Sequence, residues 1–280
     1  MHIQTKFCLL TPDFCLLKEL MNTIEVNNLA KKFGSFTAVD NVSFNVKQGE
    51  IFGFLGANGA GKSTFFNVLT GFYKPTSGNI YFLGNEITKR PVHEIVSLGI
   101  SRTFQNIRLF DQMSVLDNML VGMHLKIHPK FNHILLMNPN KIAEESKGRK
   151  EAKSVLEMFN LIDAANSVAG SLPYGKKRRL EIARAMICKP KLILLDEPSA
   201  GMNPSETIEL MKLIIKIREL GPTIIVIEHN MKLIMGISDR IAVLNFGKKI
   251  AEGIPTEIKC NKQVIEAYLG REDDSNVGNF

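Results

Sequence analysis

Apolar and polar residues alternate through three short runs near the start of the chain, TIEVNNL, FTAVDNVSFNV and EIFGFLG, each rich in β-branched and aromatic residues and set apart by Gly and Asn. A two-residue period broken by turn residues predicts strands over residues 22–52. The period then lengthens. Residues 61–70, GKSTFFNVLT, carry apolar side chains at helical spacing and stop before Gly71, a residue suited to the position just past a helix end. Residues 90–170 change character, with few β-branched runs, many Met, Leu and polar residues, and Pro129 and Pro139 around a loop-like middle, which predicts a helical insertion. From residue 191 buried-strand runs return and alternate with helical stretches: KLILLDEP, a helix over 204–220 opening at Pro204, TIIVIEHN, a helix near 231–237, and RIAVLNFG. Strands alternating with helices predict an α/β fold with a largely parallel sheet. No internal repeat interrupts this order, and REDDSNVGNF at the end has the composition of a flexible tail, placed at 271–280.

At 280 residues with 45% hydrophobic content, the chain has enough apolar material for one large domain or a core domain with a subdomain. Its formal charge of +7 suits acidic partners, meaning nucleic acid, an anionic membrane surface or phosphorylated ligands, without choosing among them. Gly, Lys, Asp or Pro interrupts every apolar run well before the roughly 20 residues that cross a bilayer. Pro12 and Asp13 split the apolar N-terminal stretch, and no small-residue cleavage site follows it. Because the strand pattern starts after Met21, residues 1–21 read as an extension or a misplaced start. Cys8, Cys15, Cys188 and Cys260 form no CxxC pair and no zinc-type spacing with His, so they read as reduced thiols of a cytosolic chain.

Two segments carry phosphate chemistry. GANGAGKST, Gly56–Thr64, fits G-x-x-x-x-G-K-[ST] between a predicted strand and a predicted helix, the context that pattern requires. Gly56, Gly59 and Gly61 let the backbone curl so that N–H groups, with those of Asn58 and Ala60, point inward at the positive end of the helix dipole. Lys62 is placed to reach the β- and γ-phosphates, Ser63 to ligate Mg²⁺, and Thr64 to follow in the first turn. LILLDEP is an apolar strand ending in two carboxylates at the sheet edge where α/β proteins bind ligands. Asp196 is placed to hold Mg²⁺ through water and Glu197 to deprotonate an attacking water.

Together these segments resemble the ATP-binding cassette proteins, the ATPase subunits of ABC transporters, over essentially residues 22–270. The resemblance implies a P-loop ATPase fold: a mainly parallel core sheet, an antiparallel β subdomain, and a helical subdomain over about 90–175. It makes Gln105 in SRTFQNIRLF the Q-loop glutamine, a catalytic and metal-ligating residue, and His229 in IEHNM the switch histidine. It places Phe33 in KKFGSF on the adenine, Ser199–Asn203 in the D-loop, and LPYGK in the signature motif. In this family two cassettes sandwich ATP, so Gly175 would meet the γ-phosphate of a nucleotide held by the partner. Taken alone, the KKRR that follows also reads as a nucleic-acid patch or a solvated helix face.

Pro173, Tyr174 and Lys176 depart from the common LSGGQ signature, and Asn203 stands where the D-loop usually has Asp. With RTFQNIRLF, AGMNP, EHNMKLIMGISDRI and EAYLG, these departures resemble the LivG-type ATPases of branched-chain amino acid importers. That resemblance implies a chain at the cytoplasmic face of the inner membrane, with two membrane permease subunits, a second ATPase of LivF type or a second copy of itself, and a periplasmic substrate-binding protein acting indirectly. Urea or lipopolysaccharide are alternative cargoes. The rival from another class is a cassette acting on nucleic acid or ribosomes, but such chains carry paired ATPase domains or long coiled coils, which this sequence lacks.

Overall fold

The computed structural model describes residues 21–123 and 139–269; the readings made for residues 1–20, Pro129 and 271–280 lie outside the described residues. β1 (Asn22–Phe33) and β2 (Phe36–Lys47) form a hairpin closed by Phe33 opposite Phe36, and β4 (Ser77–Phe82) and β5 (Asn85–Glu86) extend it into an antiparallel sheet of order β2-β1-β4-β5. A second sheet of order β10-β9-β3-β8-β7-β6 joins β3 (Ile51–Gly56), β6 (Ile100–Arg102), β7 (Leu192–Asp196), β8 (Thr223–Glu228), β9 (Arg240–Asn245) and β10 (Lys248–Gly253). All its pairings are parallel except the edge strand β10.

Every residue of β3, β7 and β8 is buried, as their unbroken apolar runs require of strands covered on both faces. The two-residue period divides those runs between two cores. Phe52, Phe54, Leu192, Leu194, Ile225 and Ile227 join the cluster shared with the antiparallel sheet. Ile51, Leu55, Ile193, Leu195, Ile224 and Val226 join a cluster with the helices. Those helices are α3 (Val115–Gly122), α4 (Pro139–Met158), α5 (Tyr174–Met186), α6 (Pro204–Glu219), α7 (Met231–Ile237), α8 (Pro255–Cys260) and α9 (Lys262–Leu269). On the opposite face α1 (Lys62–Leu69) is anchored by Phe65, whose ring stacks on Phe54 at 4.8 Å between centroids. As expected, Gly71 follows the end of α1 in the left-handed conformation, φ 78°.

The stretch 90–170 holds α2 (Val92–Ser97), α3 and α4, but it also holds β6, which pairs with β7 in the main sheet. A three-residue strand is too short to show a period, so the sheet reaches further into this stretch than the pattern predicts. Among the described residues no helix is long and apolar enough to cross a membrane, and neither Cys188 nor Cys260 is in a disulfide.

Asn203 caps α6. Its side chain accepts the Glu206 amide at 2.9 Å while the Glu206 carboxylate accepts the Asn203 amide at 3.0 Å, and Pro204 occupies the first turn. Asn therefore does the capping work of the usual Asp. Asn203→Ala is expected to cost about 1 kcal/mol in urea denaturation and Asn203→Asp close to nothing; equal losses would show that the cap contributes little.

Candidate ATP-binding and hydrolysis site

β3 ends at Gly56, and the chain turns within the loop to start α1 at Lys62. Gly61 makes that turn at φ 97°, where a Cβ would fall 2.3 Å from the Ala38 carbonyl oxygen, so only glycine fits. The loop is braced from the β9–β10 turn, where the Gly247 amide donates to the Ala60 carbonyl at 3.0 Å. Lys62 is buried, and its Nζ donates to the carbonyls of Gly56 at 2.6 Å and Ala57 at 3.0 Å. Burial holds its ammonium below the ordinary lysine range, against the pull of Glu197, Asp196 and Glu228. Asn58, Gly59 and Ser63 are exposed at the mouth, with Thr64 half-buried behind them. A positive group bonded to neutral carbonyls, at a helix start with free amides, fits an anionic phosphate ligand.

The strand order puts the ends of β3, β8 and β7 side by side. Asp196 ends β7 and is paired with Arg102, whose Nη2 donates to Oδ2 at 2.8 Å. Burial raises the Asp196 carboxyl above its usual range, and the Arg102 hydrogen bond and charge oppose that. Arg102 also donates to Asn67 and Thr70 on the α1 side. Glu197 leaves the strand in the left-handed region, φ 45°, which turns its carboxylate toward the loop after β6. There Gln105 Nε2 donates to Glu197 Oε2 at 2.9 Å, and His229 Nδ1 lies 3.8 Å from the same oxygen. Behind them Glu228, 0% exposed, accepts the amide and hydroxyl of Ser199 at 2.8 and 2.6 Å and the amides of His229 and Asn230 at 3.2 and 3.3 Å.

The structure thus brings Lys62, Asp196, Glu197, Gln105 and His229 to one edge of the sheet. Phe33 lies elsewhere, 44% exposed at the tip of the hairpin, with its ring edge-on to Tyr73 at 5.4 Å and Lys31 Nζ 4.9 Å from its centre. That exposure fits a stacking platform and not a core phenylalanine. Gly175, in the first turn of α5, lies against Glu206: a Cβ there would sit 3.0 Å from its Oε1. Of the KKRR cations, Arg178 is fully buried and Arg179 pairs with Glu209, so that stretch is not simply a solvated face. Sequence reasoning missed Arg102, Arg178 and Glu228. Glu228 had a visible signal, since a carboxylate ending the apolar run TIIVIE repeats the pattern that marked Asp196.

A strand, a glycine-bounded loop and a helix opening on a buried lysine, set beside carboxylates on neighbouring parallel strands, define a P-loop nucleotide-binding ATPase. The chain matches the ABC transporter family over residues 39–200 and the branched-chain amino acid ATP-binding cassette transporter family over residues 248–274. It is 46% identical over 248 residues to the high-affinity branched-chain amino acid transport ATP-binding protein BraF of Pseudomonas aeruginosa, covering 88% of this chain and 97% of that protein. The LivG protein of Escherichia coli K12, with the same printed role, is equally similar, at 46% over 88% of this chain and 97% of its own. A solved ATP-binding cassette of an ABC transporter in its ADP conformation superposes with a TM-score of 0.78 at 31% identity, over 89% of this chain and 99% of that one. The chain belongs to the ABC transporter family, as one of its ATP-binding cassette ATPases.

Arg102→Met would strand the buried Asp196 carboxylate without its cation. Urea denaturation is expected to show a loss of about 3–5 kcal/mol, most of it recovered when Asp196→Asn is added. Equal stability of Arg102→Met and the parent chain would mean that the pair does not hold Asp196.

Proposed function

We propose that this chain is the ATP-hydrolysing subunit that energises uptake of branched-chain amino acids, the role printed for its relatives BraF and LivG. The observation that carries the hydrolytic part is the Glu197 carboxylate, turned off the strand end and met on one oxygen by Gln105 and His229 beside Lys62. In this reading Lys62 and the amides of Gly56–Thr64 bind the phosphates and Phe33 stacks on the base. Ser63, Gln105 and Asp196 would hold Mg²⁺, which supplies charge neutralisation at the phosphates when bound. Glu197 takes the proton from water, and His229 orients the reacting end.

The division into an ATPase domain over 22–270, with its helical subdomain over about 90–175, an extension over 1–21 and a tail over 271–280, belongs to the same proposal. So does a composite site in which Gly175 faces the nucleotide of a second cassette, either of LivF type or a second copy. A solved cassette described as dimeric, in a post-hydrolysis state with ADP and phosphate, aligns with a TM-score of 0.70 at 27% identity, over 83% of this chain and 98% of that one, and supports the pairing of two cassettes. We assign the membrane permease subunits to a groove of about 760 Å³ lined by Phe72, Val96, Phe104, Leu109, Phe110 and Val121. One wall of it is the loop that carries Gln105, and it would set the chain on the cytoplasmic face of the inner membrane, with the periplasmic binding protein acting indirectly. Nucleic acid is not a partner in this reading, because Arg178 and Arg179 are already engaged within the chain.

Glu197→Gln is expected to retain ATP binding and lose about 10²–10⁴-fold in turnover in the assembled transporter. Lys62→Ala is expected to weaken ATP binding itself by about one to two decades, the worth of one charge-assisted contact. Hydrolysis at the parent rate by Glu197→Gln would refute the assigned base, and unchanged affinity in Lys62→Ala would refute the phosphate loop. Phe110→Asp is expected to abolish co-purification of permease subunits with the chain from detergent-solubilised membranes; full recovery would move the docking face elsewhere.

A further inference from the structure

The sequence R-x-x-E-x-x-R within α5 places Arg178, Glu181 and Arg184 on one face of the helix. All three point to the loop around Gln105. Arg178, fully buried, donates through Nη1 to the Phe104 carbonyl at 2.8 Å and to Glu181 Oε2 at 2.7 Å, and through Nη2 to the Gln105 carbonyl at 2.8 Å and the Tyr174 hydroxyl at 3.2 Å. Glu181 Oε1 accepts the amides of Phe104 and Arg108, each at 3.3 Å. Arg184 donates to the Arg108 carbonyl, and its guanidinium lies 5.6 Å from the centre of the Phe110 ring.

Loop residues 104–108 belong to no strand or helix, so their backbone groups need other partners. Phe104 finds them on α5 through both its amide and its carbonyl, Gln105 through its carbonyl, and Arg108 through both. A buried ion pair adds little stability over an apolar contact of the same volume; what it adds is registry, because forked and charged bonds admit one alignment where apolar surfaces admit several. The same helix begins with Tyr174 and Gly175. The Tyr174 hydroxyl is tied to Arg178, and its ring packs where a Cβ on Gly201 would lie 3.4 Å away, in the turn after Glu197.

We propose that Arg178, Glu181 and Arg184 are positioning residues that clamp the Gln105 loop to α5 as one body, so that a displacement of Gln105 at this chain's nucleotide is delivered to Gly175 at its partner's. The proposal rests on the composite-site reading above. Neither the basic run nor the helix start carries it. The network of bonds joining a loop at one half-site to a helix at the other does.

The test is backbone hydrogen exchange of the full chain with and without a non-hydrolysable ATP analogue and Mg²⁺, after a titration that measures the analogue's affinity. In the parent chain, protection is expected to rise together over 104–110 and 172–178. In Arg178→Lys, which keeps the charge and loses the fork, and in Arg178→Met with Glu181→Met, which replaces the pair by apolar volume, affinity and the response over 104–110 are expected to persist while the response over 172–178 is lost. Arg184→Met, at a half-buried position, serves as a third variant should either of the others fail to fold. A variant that keeps both responses overturns the clamp, because a purely structural role would lower stability without separating them. An analogue that binds the parent chain without any response over 172–178 overturns the clamp and leaves the phosphate site standing. An analogue that does not bind refutes the phosphate site, and the clamp falls with it.

Discussion

The parallel pairing of β3, β8 and β7 fixes where every charged group of the site can stand. Those strands are buried on both faces, so they can end in charge only at the edge where their carboxyl ends meet, and each charge there has to find a partner at once. The partners come from different distances. Glu228 is satisfied by backbone amides and a hydroxyl from the two turns beside it, Asp196 by a guanidinium on the neighbouring strand β6, and Lys62 by two carbonyls of its own loop. Glu197 is met by Gln105 and His229, the two residues that arrive on loops. In the function proposed above, the groups held by rigid backbone would bind the nucleotide, and those met by residues on loops would carry the reaction.

Much of this was legible in the chain. GANGAGKST and LILLDEP each lie within one strand–loop unit, so spacing along the sequence is spacing in space, and the buried runs announce their strands. What escaped depends on pairing across the fold. β6 has three residues and no period, and β10, KKIAEG, is a polar, partly exposed edge strand. Arg178 meets the Phe104 carbonyl 74 residues away, and in the sequence it stands in a run of cations that reads as a solvent face. The one mark of the cation that turns inward is Glu181, three positions on from Arg178, and the run of four cations hides it.

The departures from the common signature and D-loop also make local sense. Asn203 keeps the capping box of α6. Tyr174, which stands where the family commonly has glycine, is bonded to Arg178 and packed on Gly201, so the side chain that displaces a small residue ties the start of α5 inward. Pro173 opens α5 with its carbonyl accepting the Lys177 amide, and no side chain caps the first-turn amides.

The backbone of Glu197 sits at φ 45°, a conformation that costs a residue other than glycine roughly 1 kcal/mol or more. Glycine would relieve that strain, at the cost of a mostly buried carboxylate and its hydrogen bond to Gln105. A selection or design scheme that scores backbone strain alone would favour glycine here and discard the carboxylate on which the proposed hydrolysis depends. Under the proposed role, the strained glutamate sets backbone comfort against chemical work in a single torsion angle.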